Sequence, residues 1–289
     1  MVADNHEHDA TDKASADSSS PDQPSPNPNP AERMPPGVEE IISRGGFYIG
    51  KLNENMVLKY ASDANDPIYL TSIKIESRLL QLLGYHPHII QSRGLVEDGL
   101  LLKYYPNGNL YKHLAAHPFV RMDQRLEWCK QLVDTVGHMH SKRIIHCDIT
   151  LPNILLDENH NIILADFQGL LVSDYGRVML DGMSREPSKS YMPREDSLHA
   201  DVHTDLFAVG SAIYHIIVGH EVFPELRSRG DEKEIGRRFK RRIFPPDDYV
   251  ASHIVERCWK GQYSCAAEIA AEISEVQAVS KAVEEAQKD

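Results

Sequence analysis

The chain has 289 residues, 41% of them hydrophobic, and a formal net charge of −12. A chain of this length buries one large core or two small ones, and its composition is typical of a soluble globular protein. The sequence has no basic stripe of the kind that binds nucleic acid or an anionic membrane. We therefore expect neither of these as a partner.

The cysteines favour a reducing compartment. The four of them, Cys129, Cys147, Cys258 and Cys265, show neither CxxC spacing nor the density of a disulfide-linked scaffold. The acidic N-terminus has no positively charged leader, and the longest apolar stretch, "LFAVGSAIYHIIVG", is too short and too interrupted to span a bilayer. We expect free thiols and a location in the cytoplasm or nucleus.

Residues 1–37 have the composition of a disordered, acidic, Pro/Ser-rich tail. They contain seven of the 17 prolines, seven acidic against two basic residues, and no Leu, Ile or aromatic side chain. Such a segment buries too little apolar surface to offset the entropy lost on ordering. The Ser-Pro steps at Ser20 and Ser25 are candidate phosphorylation sites, but the composition alone favours a plain solvated tail.

Residues 38–102 predict a small β-rich domain with one main helix. Short apolar runs separated by turn signals, "FYIGKL", "ENMVLKY" and "GLLLKYY", are typical of strands. The segment "TSIKIESRLLQLLG" has helical periodicity. Its apolar residues fall near one face: Ile73, Leu79, Leu80 and Leu83. We expect this helix to end at Gly84.

Residues 110–289 predict a larger, mainly helical domain, joined to the first by a hinge at residues 103–109. A long amphipathic helix is predicted to start at Asp123, and a second apolar helix near Asp205. The C-terminal segment predicts a further helix with one apolar stripe. That stripe comprises Ile269, Ile273, Val276, Val279 and Val283. The two domains together give an α+β fold class.

Two isolated acids and one amide stand beside short apolar runs in "IIHCDITLPNILLD" and "NIILADFQG". Asp148 and Asp166 each adjoin a hairpin-like run, so we expect them to face one cleft. Asn153 follows the first acid by five residues. The set suits phosphoryl transfer, in which one acid orients the nucleophile while the amide and the second acid hold Mg²⁺ on the phosphates.

These motifs resemble those of the eukaryotic protein kinase family across residues 38–260. "HCD" is similar to the catalytic-loop His-Arg-Asp, "ADFQ" to Asp-Phe-Gly, and "MVLK" to the third-strand Val-Ala-Ile-Lys. The sequence also resembles the divergent kinase-like proteins of filamentous fungi. The resemblance implies a two-lobed protein kinase-like fold, ATP and Mg²⁺ as cofactors, and a protein of unknown identity as substrate.

The resemblance implies a role for each matching polar residue. Asp148 is expected to be the catalytic base, with Asn153 and Asp166 as the ligands of Mg²⁺. Lys59 is expected to grip the α- and β-phosphates. Glu76 lies where the family has the glutamate that pairs with this lysine.

The resemblance also implies an adenine site. "LLLKYYPNGNL" is similar to the family's hinge, which makes Leu102 the gatekeeper and places Lys103, Tyr104 and Tyr105 along the adenine. "DLFAVGSAIYHIIVG" resembles the helix whose leading aspartate, here Asp205, braces the catalytic loop. His146 is expected to pack and hydrogen-bond in that loop and to play no direct part in the chemistry.

The glycine-rich loop departs from the family's Gly-x-Gly-x-x-Gly. In one alignment Ser43, Gly45 and Tyr48 take the three glycine positions, and only the central glycine remains. In a shifted register Gly46 and Gly50 take those parts. Side chains in place of glycines restrict how closely backbone amides approach phosphates, so we expect weaker ATP binding or loop closure.

Four further departures lie in and after the catalytic loop. Cys147 replaces the arginine that receives an activation-loop phosphate in regulated kinases, so we expect no such switch. Gln168 replaces the glycine of Asp-Phe-Gly and should narrow the movement of that segment. Thr150 stands where serine/threonine kinases usually have a lysine for the γ-phosphate. Arg194 stands where the glutamate of Ala-Pro-Glu is expected, so we expect the family's buried ion pair to be missing.

Three functions remain open at this point. The complete polar set favours an active kinase, with serine or threonine as the preferred acceptor. The altered glycine-rich loop, Gln168 and the altered Ala-Pro-Glu motif favour a pseudokinase that acts as a scaffold. A small-molecule kinase of the aminoglycoside phosphotransferase type shares the Asp/Asn/Asp arrangement, but the Phe after Asp166 and "DLFAVGS" argue against it.

Overall fold

The structure, a computed structural model, describes residues 34–286, without the side chain of Glu284. Most of the predicted disordered tail, residues 1–33, lies outside the described residues. The described part begins with a turn in which the Val38 N–H donates to the Pro35 carbonyl oxygen at 3.1 Å. This turn leads directly into the first strand.

A five-stranded antiparallel sheet forms the smaller lobe. Its strands are β1 (Glu40–Ser43), β2 (Phe47–Asn53), β3 (Met56–Ala61), β4 (Ser92–Val96) and β5 (Gly99–Lys103). They lie in the order β1-β2-β3-β5-β4. The central strand β3 is buried from Val57 to Ala61. Its register places Lys59 opposite Ile49 of β2 and Leu100 of β5, so this lysine is fixed by strands on both sides.

One helix, α1 (Pro67–Leu83), packs on this sheet. The Asp66 carboxylate caps it by accepting a hydrogen bond from the Ile68 N–H at 2.8 Å. Gly84 ends the helix with φ 68°, which confirms the prediction from the sequence. The predicted apolar face is buried, and Glu76 is buried with it. A charged side chain on a buried helix face needs a partner, and the sheet supplies one.

Helices dominate the larger lobe. They are α2 (Leu110–Ala116), α3 (Met122–Ser141), α4 (Val202–Val218), α5 (Glu232–Lys240), α6 (Ser252–Trp259) and α7 (Ala266–Ala286). Between α3 and α4 lie the short strands β6 (Ile144–Ile145), β7 (Ile154–Leu156), β8 (Ile162–Leu164), β9 (Leu170–Val172) and β10 (Val178–Asp181). Strand β7 pairs with β8, whereas β6, β9 and β10 form a small sheet. The two lobes confirm the predicted α+β fold class.

Two helix starts differ from the prediction. Helix α3 begins at Met122, one residue before the predicted Asp123. Helix α4 begins at Val202, three residues before Asp205, because Asp201 forms a capping box with Thr204. The Asp201 carboxylate accepts from the Thr204 N–H, and the Asp201 N–H donates to the Thr204 hydroxyl oxygen. The start of α4 is therefore defined by a polar cap, which apolar periodicity does not reveal.

The predicted apolar stripe of α7 is buried only in its first half. Ile269 and Ile273 are fully buried, but Val279 and Val283 are 64% and 51% exposed. The helix runs antiparallel to α3, and its Gln277 amide donates to Glu127 near the start of that helix. The last turns of α7 therefore reach the end of the surface on which the helix packs, and the apolar stripe that the sequence predicts extends beyond that surface.

Helix α4 is the centre of the larger lobe, with nearly all of its residues buried. It contains most of the longest apolar stretch of the sequence, "LFAVGSAIYHIIVG", which is too short and too interrupted to span a bilayer. Nowhere in residues 34–286 does a helix combine the length and apolar character needed to cross a membrane.

Candidate active site

A cleft of about 480 Å³ lies between the sheet of the smaller lobe and the first segments of the larger one. Its walls come from the β1–β2 turn, strands β3 and β5, helix α1 and the segments around β7 and β8. The predicted site residues that line it are Gly45, Lys59, Glu76, Leu102, Lys103, Tyr104, Tyr105, Asn153 and Asp166. The remaining one, Asp148, lies beside the cleft, in contact with Asn153.

Lys59 lies between two carboxylates at the back of the cleft. Its ammonium group is 2.6 Å from the Glu76 carboxylate and also contacts the Asp166 carboxylate. Lys59 and Glu76 are both buried. Burial alone would lower the pKa of Lys59, but Asp166 and Glu76 outweigh it and hold that pKa above its ordinary value. The lysine is therefore protonated and fixed where a phosphate oxygen could contact it.

One buried acid, Asp205, anchors the catalytic loop, residues 146–153. The Asp205 carboxylate accepts the backbone N–H groups of His146 at 2.8 Å and Cys147 at 3.0 Å. It also contacts the His140 imidazole at 3.0 Å. Cys147 has φ 64°, a conformation that strains a residue with a side chain. The fully buried Asp205 thus stabilises a strained turn directly before Asp148.

His146 links the catalytic loop to the segment after β8. Its Nδ1 accepts from the Asp148 N–H at 3.3 Å, so Nε2 carries the proton and donates to the Ala165 carbonyl oxygen at 3.0 Å. Its ring packs against Phe167, with 5.0 Å between the ring centroids. The contacts agree with the expected packing role. They also fix the distance between the segments that carry Asp148 and Asp166.

Asp148 and Asn153 form one hydrogen-bonded pair. The Asn153 amide nitrogen donates to the Asp148 carboxylate at 2.8 Å and to its carbonyl oxygen at 3.0 Å. The Thr150 hydroxyl donates to the same carboxylate at 3.4 Å. Burial raises the pKa of Asp148 to about 6. At neutral pH it is an ionised, partly desolvated carboxylate, which suits acceptance of a proton from a hydroxyl.

Asn153 and Asp166 have the donor atoms that a hard divalent cation requires. Because the Asn153 amide nitrogen is engaged by Asp148, its amide oxygen is left as the acceptor in the cleft. Burial alone would raise the pKa of Asp166, but the Lys59 ammonium outweighs it and holds that pKa below its ordinary value. An amide oxygen and a carboxylate fit a hard divalent metal ion that takes its other ligands from phosphates and water.

The described residues contain no cluster of three or more His, Cys, Asp or Glu side chains that could hold a metal ion. At the site above, phosphate oxygens and water would have to complete the coordination of a divalent metal ion.

Gln168 contributes a contact that the sequence analysis missed. The Gln168 side-chain amide donates to the Glu76 carboxylate at 3.3 Å, and the Phe167 N–H donates to the other oxygen of that carboxylate at 3.3 Å. Gln168 is buried, and so is Phe167. With Lys59, these groups give the buried Glu76 carboxylate three donors. The only sign in the sequence was a glutamine in place of the family's glycine. That substitution does not show that Glu76 is its hydrogen-bond partner.

The hinge lies at the outer edge of the cleft. Leu102 is buried on β5 opposite Val57, so it closes the inner end of the adenine region. The Tyr104 N–H is already bonded to the Asn55 carbonyl oxygen at 2.9 Å. By contrast, the Tyr105 N–H has no hydrogen-bond partner in the part of the chain that the structure describes. A backbone donor of this kind at a cleft edge is available to a planar base.

The phosphate loop, residues 43–48, forms the turn between β1 and β2. Ser43, Gly45, Gly46 and Phe47 line the cleft, whereas Tyr48 packs against Tyr60. A Cβ atom at Gly50 would clash with Val38 at 2.6 Å, so that glycine serves packing. A Cβ atom at Gly46 would approach the Tyr69 ring to 2.8 Å, so packing limits that position as well. Both alignments of the loop therefore stay predictions.

Phe47 is a second residue that the sequence analysis missed. Its ring lies 4.9 Å from the Lys59 ammonium and packs edge-on against Tyr69 of α1, with 5.1 Å between centroids. A cation over an aromatic face is stabilised by the ring's quadrupole. The phosphate loop is thus tied to Lys59 and to α1 through one side chain.

The segment before α4 contains a buried ion pair of its own. The Arg194 guanidinium donates to the Glu186 carboxylate at 2.8 Å, and both side chains are almost fully buried. Arg194 also stacks on Tyr191, with 4.3 Å between guanidinium carbon and ring centroid. The family's ion pair was expected to be missing. The structure replaces it with one between residues eight positions apart.

Cys147 is buried and not placed for redox chemistry. Burial raises the pKa of its thiol well above the ordinary value. The Cys129 and Cys258 thiols are also buried, whereas Cys265 is exposed. All four cysteines are free thiols, as expected from the sequence.

The comparison with a model of the protein kinase domain decides the family. That model matches residues 50–275, which is most of the chain. The chain belongs to the protein kinase family. The matched region begins after the phosphate loop, so it does not test the register of that loop. Protein kinases use ATP, a divalent metal ion and protein substrates, and the cleft fits the first two.

Three curated protein kinases illustrate the similarity. Serine/threonine-protein kinase SIK2 of Gallus gallus is 27% identical over 231 residues, 74% of this chain and 29% of that protein. An Aurora kinase of Eremothecium gossypii is 30% identical over 182 residues, 60% of this chain and 47% of that protein. Integrin-linked protein kinase 1 of Arabidopsis thaliana is 26% identical over 242 residues, 75% of this chain and 50% of that protein. This kinase chain spans half or less of each relative's length.

Proposed function

We propose that this chain is a protein kinase that transfers the γ-phosphoryl group of Mg-ATP to a serine or threonine hydroxyl of a protein. The observation that carries the proposal is the position of Lys59 between Glu76 and Asp166, next to the Asp148–Asn153 pair. The preference for serine or threonine rests on relatives named as serine/threonine kinases.

Each polar residue then has one task. Lys59, held by Glu76, would contact the α- and β-phosphates, and Asn153 and Asp166 would hold Mg²⁺, which would neutralise charge on the phosphates. Asp148 orients the acceptor hydroxyl and takes its proton as the new P–O bond forms and the bond from the γ-phosphorus to the bridging oxygen breaks, so that ADP leaves. Leu102, Lys103 and the backbone of Tyr104 and Tyr105 border the adenine.

Turnover is expected at the low end of the kinase range of roughly 1–100 s⁻¹. Thr150 supplies a hydroxyl bonded to Asp148 where many kinases have an ammonium group for the γ-phosphate. A neutral hydroxyl stabilises the developing negative charge less than an ammonium group does.

A pseudokinase is less consistent with the geometry. A chain that has lost catalysis has no need to hold a buried lysine against two carboxylates or to strain the backbone before Asp148. Here Cys147 is strained at φ 64° and Asp166 at φ 65°. They are two of the eight residues other than glycine that have positive φ in the described part of the chain.

The test is transfer of labelled γ-phosphate from Mg-ATP to the protein itself and to a generic basic protein. Lys59→Met and Asp148→Asn should each lower transfer by at least about a hundredfold. Lys74→Met, at an exposed position on α1, is the matched control and should behave as wild type. If Lys59→Met transfers label as fast as the control, the site assignment is wrong.

Wild type that transfers no label would count against the activity itself. Thermal melting with and without Mg-ATP then distinguishes a chain that binds nucleotide without transferring phosphate from a chain that does not bind nucleotide. A rise in melting temperature with nucleotide would show a binding module without transfer, because a ligand that binds only the native state stabilises it.

A further inference from the structure

Two histidines from different lobes stack on each other outside the nucleotide cleft. His86 lies in the loop between α1 and β4, and His138 lies in the last turn of α3. Their ring centroids are 4.7 Å apart, and the ring planes differ by 25°. We call these two residues the histidine pair. Neither ring lines the cleft, so the proposed chemistry makes no use of them.

The loop between α1 and β4, residues 84–91, attaches the end of α1 to the larger lobe. The Leu164 N–H of β8 donates to the His88 carbonyl oxygen at 2.8 Å. The His138 ring nitrogen Nε2 lies 2.9 Å from the carbonyl oxygen of Leu83, the last residue of α1. The loop is therefore fixed to β8 and α3, and the histidine pair lies at the second of these contacts.

The hydrogen bond of the His86 ring requires a neutral imidazole. Its Nδ1 accepts from the His88 N–H at 3.3 Å, so this nitrogen carries no proton. His138 Nε2 faces a carbonyl oxygen and donates to it, which it does in either protonation state. A proton on His86 Nδ1 therefore removes an acceptor. If both rings are protonated, two like charges also face each other across the stack.

The charged groups around the pair do not offset this repulsion. Asp134, one turn before His138 on α3, attracts a proton to His86, but its carboxylate already forms an ion pair on its own helix. The His88 ring lies 5.8 Å from that of His86, and Arg93 of β4 lines the same small pocket. The end of α1 adds only uncharged side chains to that pocket. Burial and the two neighbouring imidazoles together lower the pKa of His86.

We propose that the histidine pair is a pH-sensitive switch, in which the stacked rings hold the loop after α1 on α3 at neutral pH and protonation in mildly acidic solution releases it. The unfolded chain takes up a proton on each ring near pH 6.5, whereas the folded stack resists the second proton. Below that pH the folded state thus binds fewer protons than the unfolded state. The stability that the pair contributes is complete above about pH 6.5 and is lost as the pH falls below it.

Release of the loop reaches the cleft through α1. Glu76 lies on that helix, and its carboxylate is 2.6 Å from the Lys59 ammonium group. A loop that leaves α3 removes the hydrogen bond at the end of α1, so the helix gains freedom to move and the contact with Lys59 is formed less often. This consequence for activity rests on the proposed kinase function, whereas the change in stability does not.

The experiment measures the melting temperature from pH 5 to pH 8 for wild type and for His86→Phe, which keeps an aromatic ring in the stack but cannot be protonated. Between pH 7.5 and pH 5.5 wild type should lose about 2–4 °C more than His86→Phe. His138→Phe should flatten the profile in the same way, although it is less stable at every pH because it no longer donates to Leu83. His220→Gln, at an exposed position after α4, is the matched control and should follow wild type.

NMR titration of the ring C–H signals keeps the test decisive if one variant does not fold. In wild type the histidine pair should take up its two protons in separate steps. The histidine that remains in either Phe variant should become protonated at a higher pH than in wild type. If wild type and the Phe variants lose stability in parallel, or if the two rings titrate independently, the switch is wrong.

Activity measurements separate this inference from the proposed function. Asp148 titrates in both proteins, so the ratio of kcat/KM for ATP between His86→Phe and wild type isolates the pair. That ratio should rise by about twofold from pH 7.5 to pH 6. A constant ratio would overturn the connection to α1. If wild type transfers no phosphate at any pH, the proposed activity is wrong, and the melting and NMR results still decide whether the switch exists.

Discussion

The catalytic loop and the phosphate loop border the same cleft but are held in different ways. The catalytic loop rests on the buried Asp205 carboxylate, and internal hydrogen bonds from His146 and Asn153 fix its shape. The phosphate loop is largely exposed at residues 43–45, and its Gly46 carbonyl oxygen is held by Ser62 at 2.8 Å. Substitution in the first loop leaves buried groups unpaired, whereas substitution in the second does not.

This contrast explains where the chain departs from its family. Within the catalytic loop the polar residues that make the buried bonds are all present. Of its two altered residues, Cys147 donates its backbone N–H to Asp205 and Thr150 donates its hydroxyl to Asp148. In the first alignment of the phosphate loop, two glycine positions have been replaced. Ser43 is exposed and Tyr48 turns away to Tyr60, so neither replacement meets a buried neighbour that would reject it.

The largest expected effect is the loss of Asp205. Asp205→Ala removes the acceptor of two buried backbone N–H groups, and each one left unsatisfied costs about 1–3 kcal/mol. The free energy of unfolding should fall by about 3 kcal/mol or more in urea titrations. Asp134→Ala, at an exposed position on α3, should change it by less than about 0.5 kcal/mol. Equal effects of the two variants would show that the catalytic loop does not depend on Asp205.

Substitution of Asp148 should raise the free energy of unfolding at neutral pH, whereas substitution of Asp205 should lower it. Burial raises its folded-state pKa to about 6, above the unfolded value of about 3.9, so the folded state binds the proton more tightly. Stability from this group is present at low pH and is lost as pH rises from about 4 to 6. At pH 7 Asp148→Asn should therefore stabilise the protein by about 1–2 kcal/mol, and it should abolish transfer.

Thermal melting from pH 4 to pH 8 checks this sign. The difference in melting temperature between Asp148→Asn and wild type should be largest at pH 7–8 and vanish near pH 4. A variant that is less stable than wild type at pH 7 would mean that hydrogen bonds from Asn153 and Thr150 outweigh the burial of the charge. Wild-type transfer should fall below pH 6 as Asp148 takes up its proton.

The sequence predicts the parts of the site that are close in the chain. Asp148 and Asn153 lie five residues apart around one turn, and Asp166 follows the β7–β8 hairpin, so local geometry brings them together. Lys59 and Glu76 were paired through the family resemblance. That pair needs the packing of α1 on β3, which periodicity alone does not give.

Contacts made by irregular segments could not be predicted. Arg194 and Glu186 lie in a stretch without helical or strand periodicity, so no pattern relates them. From the sequence, Gln168 was interpreted only as the replacement of a glycine. Its hydrogen-bond partner, Glu76, is 92 residues away, so no local pattern relates the two. The spacing of Val279 and Val283 places them on the apolar stripe of α7, but spacing does not show where the neighbouring helix ends.

Gln168 tests whether the altered Asp-Phe-Gly motif supports the cleft. Gln168→Glu has the same shape but places a second carboxylate about 3.3 Å from that of Glu76. Repulsion should displace α1 and lower kcat/KM for ATP by about tenfold, or about 1.4 kcal/mol. Gln168→Met loses only the hydrogen bond and should lower it by about twofold to threefold. A larger loss in the Met variant would indicate that Gln168 acts through packing and not through Glu76.

The smallest effects are expected in the phosphate loop, where Gly45 and Gly46 provide a matched pair. A Cβ atom at Gly45 would meet only the Phe47 carbonyl oxygen at 3.7 Å, an ordinary contact, so Gly45→Ala should change the KM for ATP by less than about twofold. A Cβ atom at Gly46 would approach the Tyr69 ring to 2.8 Å. Since Tyr69 packs on Phe47 and Phe47 on Lys59, Gly46→Ala should raise the KM for ATP by about threefold.

Steady-state kinetics at varied ATP concentration distinguish the two alanine variants. If Gly45→Ala is the more damaging one, the first alignment is right and Gly45 is the glycine that phosphates approach. If Gly46→Ala is more damaging and also lowers the melting temperature, the loop is limited by its packing on α1. The glycine pattern of the family would then have been replaced here by the Phe47–Tyr69 contact, which positions the loop from its apolar side.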